Sequence, residues 1–121
     1  MLNCIMVGFG GFIGAVIRYL MGLIPIKNPT SFPINTLIVN ALGALAIGFI
    51  ALAMAKYENI DSRLILFLKV GICGGFTTFS TFSFETAELI KSGSIITAVL
   101  YVTLSIVLGV LAVMLPQHIV K

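Results

Sequence analysis

Apolar residues fill four long blocks of this chain, separated by short polar stretches, and they do not alternate as half-buried strands do. A helix needs about 20 apolar residues to cross a bilayer. The first block runs from Asn3 to Ile24, and Pro25, Lys27, Pro29 and Pro33 mark the loop after it. The second runs from Pro33 to Ala55, with Pro33 suited to a first helical turn. Lys56, Glu58, Asn59, Asp61 and Ser62 form a polar turn before the third block, Arg63 to Ile90. Lys91, Ser92, Gly93 and Ser94 turn the chain into the fourth, Ile95 to Leu115, which Pro116 is expected to stop. The pattern predicts an all-α membrane protein, a single four-helix domain over residues 1–121. Barrel strands would be shorter and would alternate.

The third block is too long. Its 28 residues would make a straight helix of about 42 Å, against a hydrocarbon core of about 30 Å. Tilt absorbs part of the excess and a break the rest. The expected break is Gly74-Gly75 followed by Phe76-Thr77-Thr78, because glycine and β-branched threonine are poor helix formers. Unwound backbone survives in a membrane only where protein buries it or where it lines a cavity. Its freed carbonyls can then bind a cation.

Residues 71–88, GICGGFTTFSTFSFETAE, carry chemistry that a lipid-facing helix does not need. After the break, Phe79 and Phe82 share a helical face, Ser80 and Ser83 a neighbouring one, and Thr77 pairs with Thr81. The fourth block adds Tyr101, Thr103 and Ser105. Two readings compete. The hydroxyls bond back to their own helices, or hydroxyls and the positive ring edges face an anion. Asn40, deep in the second block, is equally open: an interhelical glue, or a donor aimed at a pore. Arg18 either snorkels to the headgroups or draws anions into a vestibule. Glu85 and Glu88 come late in the third block, with Lys91 as a candidate partner for Glu88. Gly10 and Gly14, and Ala44 and Gly48, have the spacing of close helix packing.

Composition agrees with a membrane protein. Hydrophobic residues make up 60% of the chain, charged ones 9%, and mean hydropathy is +1.19. An average soluble domain is about 25% charged. No nucleophile–base pair suggests an enzyme, the one histidine, His118, lies in the tail, and nothing suggests nucleic acid. Cys4 and Cys73 are expected at different depths, so no disulfide is expected and no metal-ligand spacing exists. The start lacks a basic segment, and its first block reads as a retained span.

The loop charges barely discriminate the two faces. Lys56, Arg63, Lys69 and Lys121 fall on one side, Arg18, Lys27 and Lys91 on the other. Orientation follows Lys and Arg bias, so this chain is expected to insert both ways. Two copies would then pair antiparallel, and a pathway needs that partner because four helices enclose little space.

At Gly74 to Glu85, GGFTTFSTFSFE, the sequence resembles the Fluc (CrcB) family of fluoride channels. The likeness covers essentially the whole chain, with GGFIGAVIR over residues 10–18 and NTLIVNALG around Asn40 in the same order. The resemblance implies a dual-topology antiparallel homodimer in the cell (inner or plasma) membrane, with two fluoride pathways. It implies a central sodium ion held by backbone carbonyls, the matching positions being Gly74 and Thr77. It puts pore-lining rings at Phe79 and Phe82, a fluoride-facing amide at Asn40, and hydroxyls at Ser80, Thr81 and Ser83. Tyr101, Ser105, Glu85 and Arg18 are weaker candidates. The implied role is passive fluoride export that confers fluoride resistance. The alternative is a small four-span proton-coupled cation or multidrug exporter, which needs an embedded carboxylate; the first two blocks carry none.

Overall fold

The computed structural model describes residues 1–26 and 32–119. Lys27, Pro29 and Lys121 of the loop and charge readings lie outside them. The described chain is helical throughout: α1 (Leu2–Gly22), α2 (Ile34–Lys56), α3 (Ser62–Ile65), a π-helical segment (Leu66–Cys73), α4 (Gly74–Phe76), α5 (Phe79–Lys91) and α6 (Ile95–Ile119). Four stretches are long and apolar enough to cross a membrane, the third being the composite Ser62–Lys91. This is a multi-pass membrane protein.

The third span is broken, but the break is shorter than expected and lies later. Gly74 is helical, with φ −64° and ψ −38°. The extended residues are Thr77, with ψ 156°, and Thr78, with φ −149° and ψ 117°. Gly74 and Gly75 therefore do not unwind the chain. Gly75 serves close approach: a Cβ there would lie 2.6 Å from the Gly11 carbonyl oxygen.

That approach belongs to a long backbone-to-backbone seam. A Cβ on Gly10 would stand 2.5 Å from the Phe67 oxygen and 2.9 Å from the Gly71 Cα, and one on Gly14 would collide with the Ile72 oxygen. The glycines of α1 thus face the π-helical segment, whose i→i+5 bonding gives a wider turn than an α-helix. Without side chains between them the two backbones come within van der Waals contact, the use small residues have in membranes.

The second close pair is α2 with α6. A Cβ on Gly48 would meet the Val113 oxygen at 2.5 Å and the Ala112 oxygen at 3.1 Å. Pro116 does not stop α6, which continues to Ile119. Proline cannot donate to the carbonyl four residues back, here Ala112. That freed carbonyl faces Gly48, so the helix continues with the defect buried in the seam.

The core is small. Leu89, Ala98 and Tyr101 form a buried cluster, with Phe32, Leu37 and Phe82 packed on it. Most other large apolar side chains point outward, Phe12 and Ile96 among them. Such a surface suits lipid and further protein. Cys4 is exposed and Cys73 buried, both as free thiols.

Candidate functional site

Polar chemistry gathers where α4 ends and α5 begins. A helix end leaves orphan carbonyls on one side and orphan amides on the other, and no water reaches them in a membrane core. The Asn40 side chain meets this need. Its Oδ1 accepts the Thr78 N–H at 2.8 Å, and its Nδ2 donates to the Thr78 carbonyl at 3.2 Å. Thr78 then caps α5: its hydroxyl accepts the Thr81 N–H at 3.2 Å. Thr77 bonds backward, its hydroxyl donating to the Cys73 carbonyl at 2.9 Å. The back-bonding reading thus holds for Thr77, and for Thr86, which donates to the Phe82 carbonyl at 2.8 Å.

Two cavities meet at Thr78. The first, about 360 Å³, is lined by Asn40, Thr77, Thr78, Phe79, Phe82 and Ser105, with Ala44, Ile47, Ile106 and Val113 behind them. The second, about 430 Å³, is bordered by Arg18, Asn35, Thr36, Thr78 and Thr81 on its polar side. Among the described residues no charged side chain lines the first cavity. Within it the Ser105 hydroxyl is buried and has no hydrogen-bond partner among the described residues.

Aromatic rings continue from the first cavity into the core. Phe79 is 79% exposed, with its ring centroid 5.8 Å from that of Phe82. Phe82 stands 5.0 Å from Tyr101, and Phe32 meets the same tyrosine edge-on at 5.6 Å. Tyr101 is fully buried, and its hydroxyl donates to Glu85 Oε1 at 3.0 Å.

Not every expected site residue joins this group. Ser80 is exposed, its hydroxyl 3.3 Å from that of Thr78, and Ser83 is exposed as well. Neither borders the two cavities. Arg18 does not simply snorkel: its Nε donates to the Gly75 carbonyl at 3.1 Å. Glu88 and Lys91 pair loosely at 3.9 Å on the surface.

The break also has a donor set that suits an alkali cation. In an unbroken helix the Thr78 and Thr81 amides would serve the Gly74 and Thr77 carbonyls. Both amides are committed elsewhere, to Asn40 and to the Thr78 hydroxyl. Neutral carbonyl oxygens fit a hard cation. Among the described residues no cluster of His, Cys, Asp or Glu could hold a metal ion.

The sequence profile described as "CrcB-like protein, Camphor Resistance (CrcB)" matches residues 5–116. This chain belongs to the CrcB family. A relative from Ruminiclostridium cellulolyticum, named fluoride-specific ion channel FluC, is 42% identical over 100% of this chain and 94% of its own length. One of that name from Clostridium perfringens is 42% identical over 100% and 95%. A third, from Phocaeicola vulgatus, is 44% identical over 95% of each chain.

Three residues of this CrcB chain escape a reading of the sequence alone. Thr36 is buried and borders the second cavity one helical turn before Asn40, a spacing that was available as a signal. Asn35 donates to the Ile24 carbonyl at 3.2 Å and so closes the end of α1, a long-range pairing with no local sign. Gly43 makes room for the Thr77 methyl, which a Cβ there would strike.

Proposed function

We propose that this CrcB-family chain conducts fluoride passively across the membrane. The observation that carries the reading is the first cavity: an amide, hydroxyls and phenylalanine rings at a helix break, without a charged side chain. The names of the relatives support the choice of anion. Fluoride is small and strongly hydrated, so a pathway must replace its water with donors. Ser105 supplies an uncommitted hydroxyl, Asn40 keeps one amide hydrogen beyond its bond to Thr78, and Phe79 and Phe82 offer ring edges. Thr81, Ser80 and Ser83 are candidates for the approaches, and Tyr101 with Glu85 for the far end. A fixed cation in the cavity would hold the ion too tightly, since conduction needs release as well as binding. A proton-coupled exporter would need an embedded carboxylate there, and the cavity has none.

Two further parts complete the proposal. A sodium ion on the Gly74 and Thr77 carbonyls would satisfy the oxygens that the break frees and pin two subunits together. A second copy of the chain, inserted the opposite way, would cover Gly74 and Phe79, which are exposed on the single subunit. Modification of cysteines placed in each loop then occurs from both faces of the membrane; labelling of a given loop from one face only would rule out dual topology. In the cell, hydrogen fluoride enters as a neutral acid and dissociates, and the channel lets the anion leave.

Liposome efflux read with a fluoride electrode tests the main reading. Fluoride release without chloride release, lost on Phe79→Ala, is expected. Folded protein that releases no fluoride would overturn it.

A further inference from the structure

The face of α1 that carries Gly11, Gly14 and Arg18 lies along residues 72–76. Gly11 meets Gly75, and Gly14 meets Ile72 and Phe76, with backbone against backbone in both cases. One turn further on, Arg18 turns its Nε–H onto the Gly75 carbonyl at 3.1 Å, across 57 residues of sequence.

Around the break the carbonyls fall into two sets. Cys73 accepts the Thr77 N–H at 3.0 Å and the Thr77 hydroxyl at 2.9 Å. Gly75 accepts Arg18, and Thr78 accepts Asn40. Gly74 and Thr77 have lost their helical amides to Asn40 and to the Thr78 hydroxyl. Between Cys73 and Thr78 these taken and open carbonyls are thus interleaved: Cys73 is held within the span by Thr77, whereas Gly75 and Thr78 are held by side chains from α1 and α2.

We propose that Arg18 is a positioning residue for the cation site: by holding the Gly75 carbonyl toward α1, it keeps that oxygen from competing with Gly74 and Thr77 for an alkali cation. This rests on the sodium reading given above. The guanidinium suits the role because it cannot shed its proton in a membrane and therefore requires a strong acceptor. A carbonyl that it holds is not free to turn toward the ion. Arg18 also borders the second cavity, so the competing role is an electrostatic one, attraction of anions by its charge.

The two roles differ in which variant replaces arginine. Full-length protein is purified without sodium from the start, in choline chloride. Its melting temperature is then titrated with NaCl at constant ionic strength. A ligand that binds the folded state raises stability with its concentration, so the midpoint reports sodium affinity independently of transport. Wild type is expected to rise and saturate. Arg18→Leu is expected to need at least tenfold more sodium for half the maximal shift. Arg18→Gln, which keeps a donor without the charge, is expected nearer wild type than Arg18→Leu. Should Arg18→Leu not fold, Arg18→Gln and Arg18→Lys carry the comparison, with glutamine expected to be no worse than lysine. Fluoride efflux at saturating sodium is expected to recover most of the wild-type rate.

Unchanged midpoints in all variants, with wild type responding, would overturn the proposal while leaving the sodium site intact. So would a lower midpoint in Arg18→Leu, which would mean the arginine repels the ion. Wild type that conducts fluoride yet shows no sodium-dependent melting would overturn the sodium reading itself, and this proposal with it.

Discussion

Asn40 and Thr78, 38 residues apart, share two hydrogen bonds: Asn40 Oδ1 takes the Thr78 N–H at 2.8 Å and Asn40 Nδ2 gives to the Thr78 carbonyl at 3.2 Å. One side chain thereby serves both polar groups of one residue at the point where the third span unwinds. The glue and pore readings of Asn40 are therefore compatible, because a carboxamide still has one N–H to offer.

Asn40→Ala is expected to strip Thr78 of both partners. Each unsatisfied buried group costs about 1–3 kcal/mol, so the melting temperature should fall along with fluoride efflux. Asn40→Asp keeps the acceptor but sets a carboxylate against the Thr78 carbonyl, and it should also fail. Amide exchange at Thr78 gives the direct check. Unchanged protection of that amide in Asn40→Ala would mean the bonds do not hold the break.

Gly14→Ala should destabilise the protein, whereas Gly8→Ala should not. A Cβ on Gly14 strikes the Ile72 oxygen, while one on Gly8 finds nothing within 4 Å. Overpacking costs about 1–3 kcal/mol, against a helix-propensity gain of about 1 kcal/mol for alanine. Thermal unfolding of the two variants side by side decides it, and equal melting temperatures would remove the seam argument.

Phe79→Ala and Phe82→Ala should part company. Phe79 is 79% exposed on the subunit, whereas Phe82 packs against Tyr101 with centroids 5.0 Å apart. Loss of a core phenylalanine costs about 3–5 kcal/mol, and the half-buried Phe82 should lose a sizeable part of that. Phe79→Ala should keep its fold and lose efflux. A melting loss at Phe79 as large as at Phe82 would place that ring in a packing role inside the assembly.

Thr77→Ala should be tolerated better than Gly74→Val. A Cβ at Gly74 meets only the Lys69 oxygen, at 3.9 Å, so the single subunit has room for it. The expected sensitivity there rests on the proposed second copy and sodium ion, which would lie outside the subunit. Thr77→Ala keeps its carbonyl and loses a hydroxyl that only bonds back to Cys73. Cross-linking in membranes reads dimer content, and a greater loss for Thr77→Ala would argue against a carbonyl-held ion.

The four spans, the interruption of the third and the pairing of Phe79 with Phe82 were legible from sequence; the grouping of the hydroxyls was not, since the break separates Thr77 from Thr81 and leaves Ser80 and Ser83 exposed. What was legible follows from block length and helical period, which act over a few residues. Where the break falls was decided by tertiary structure. Local propensity points at Gly74-Gly75, yet in a membrane the backbone opens where another helix can satisfy it, and Asn40 reaches Thr78. Tertiary structure also lets α6 run past Pro116, with the carbonyl that proline frees packed against Gly48. It also turns Arg18 from a lone charge near a helix end into a partner of the Gly75 carbonyl. Sequence alone determined that polar chemistry had to sit inside the membrane. Which atoms of it stay free was settled by side chains from α1 and α2, because only a three-dimensional approach can pair a carbonyl with a donor so far away along the chain.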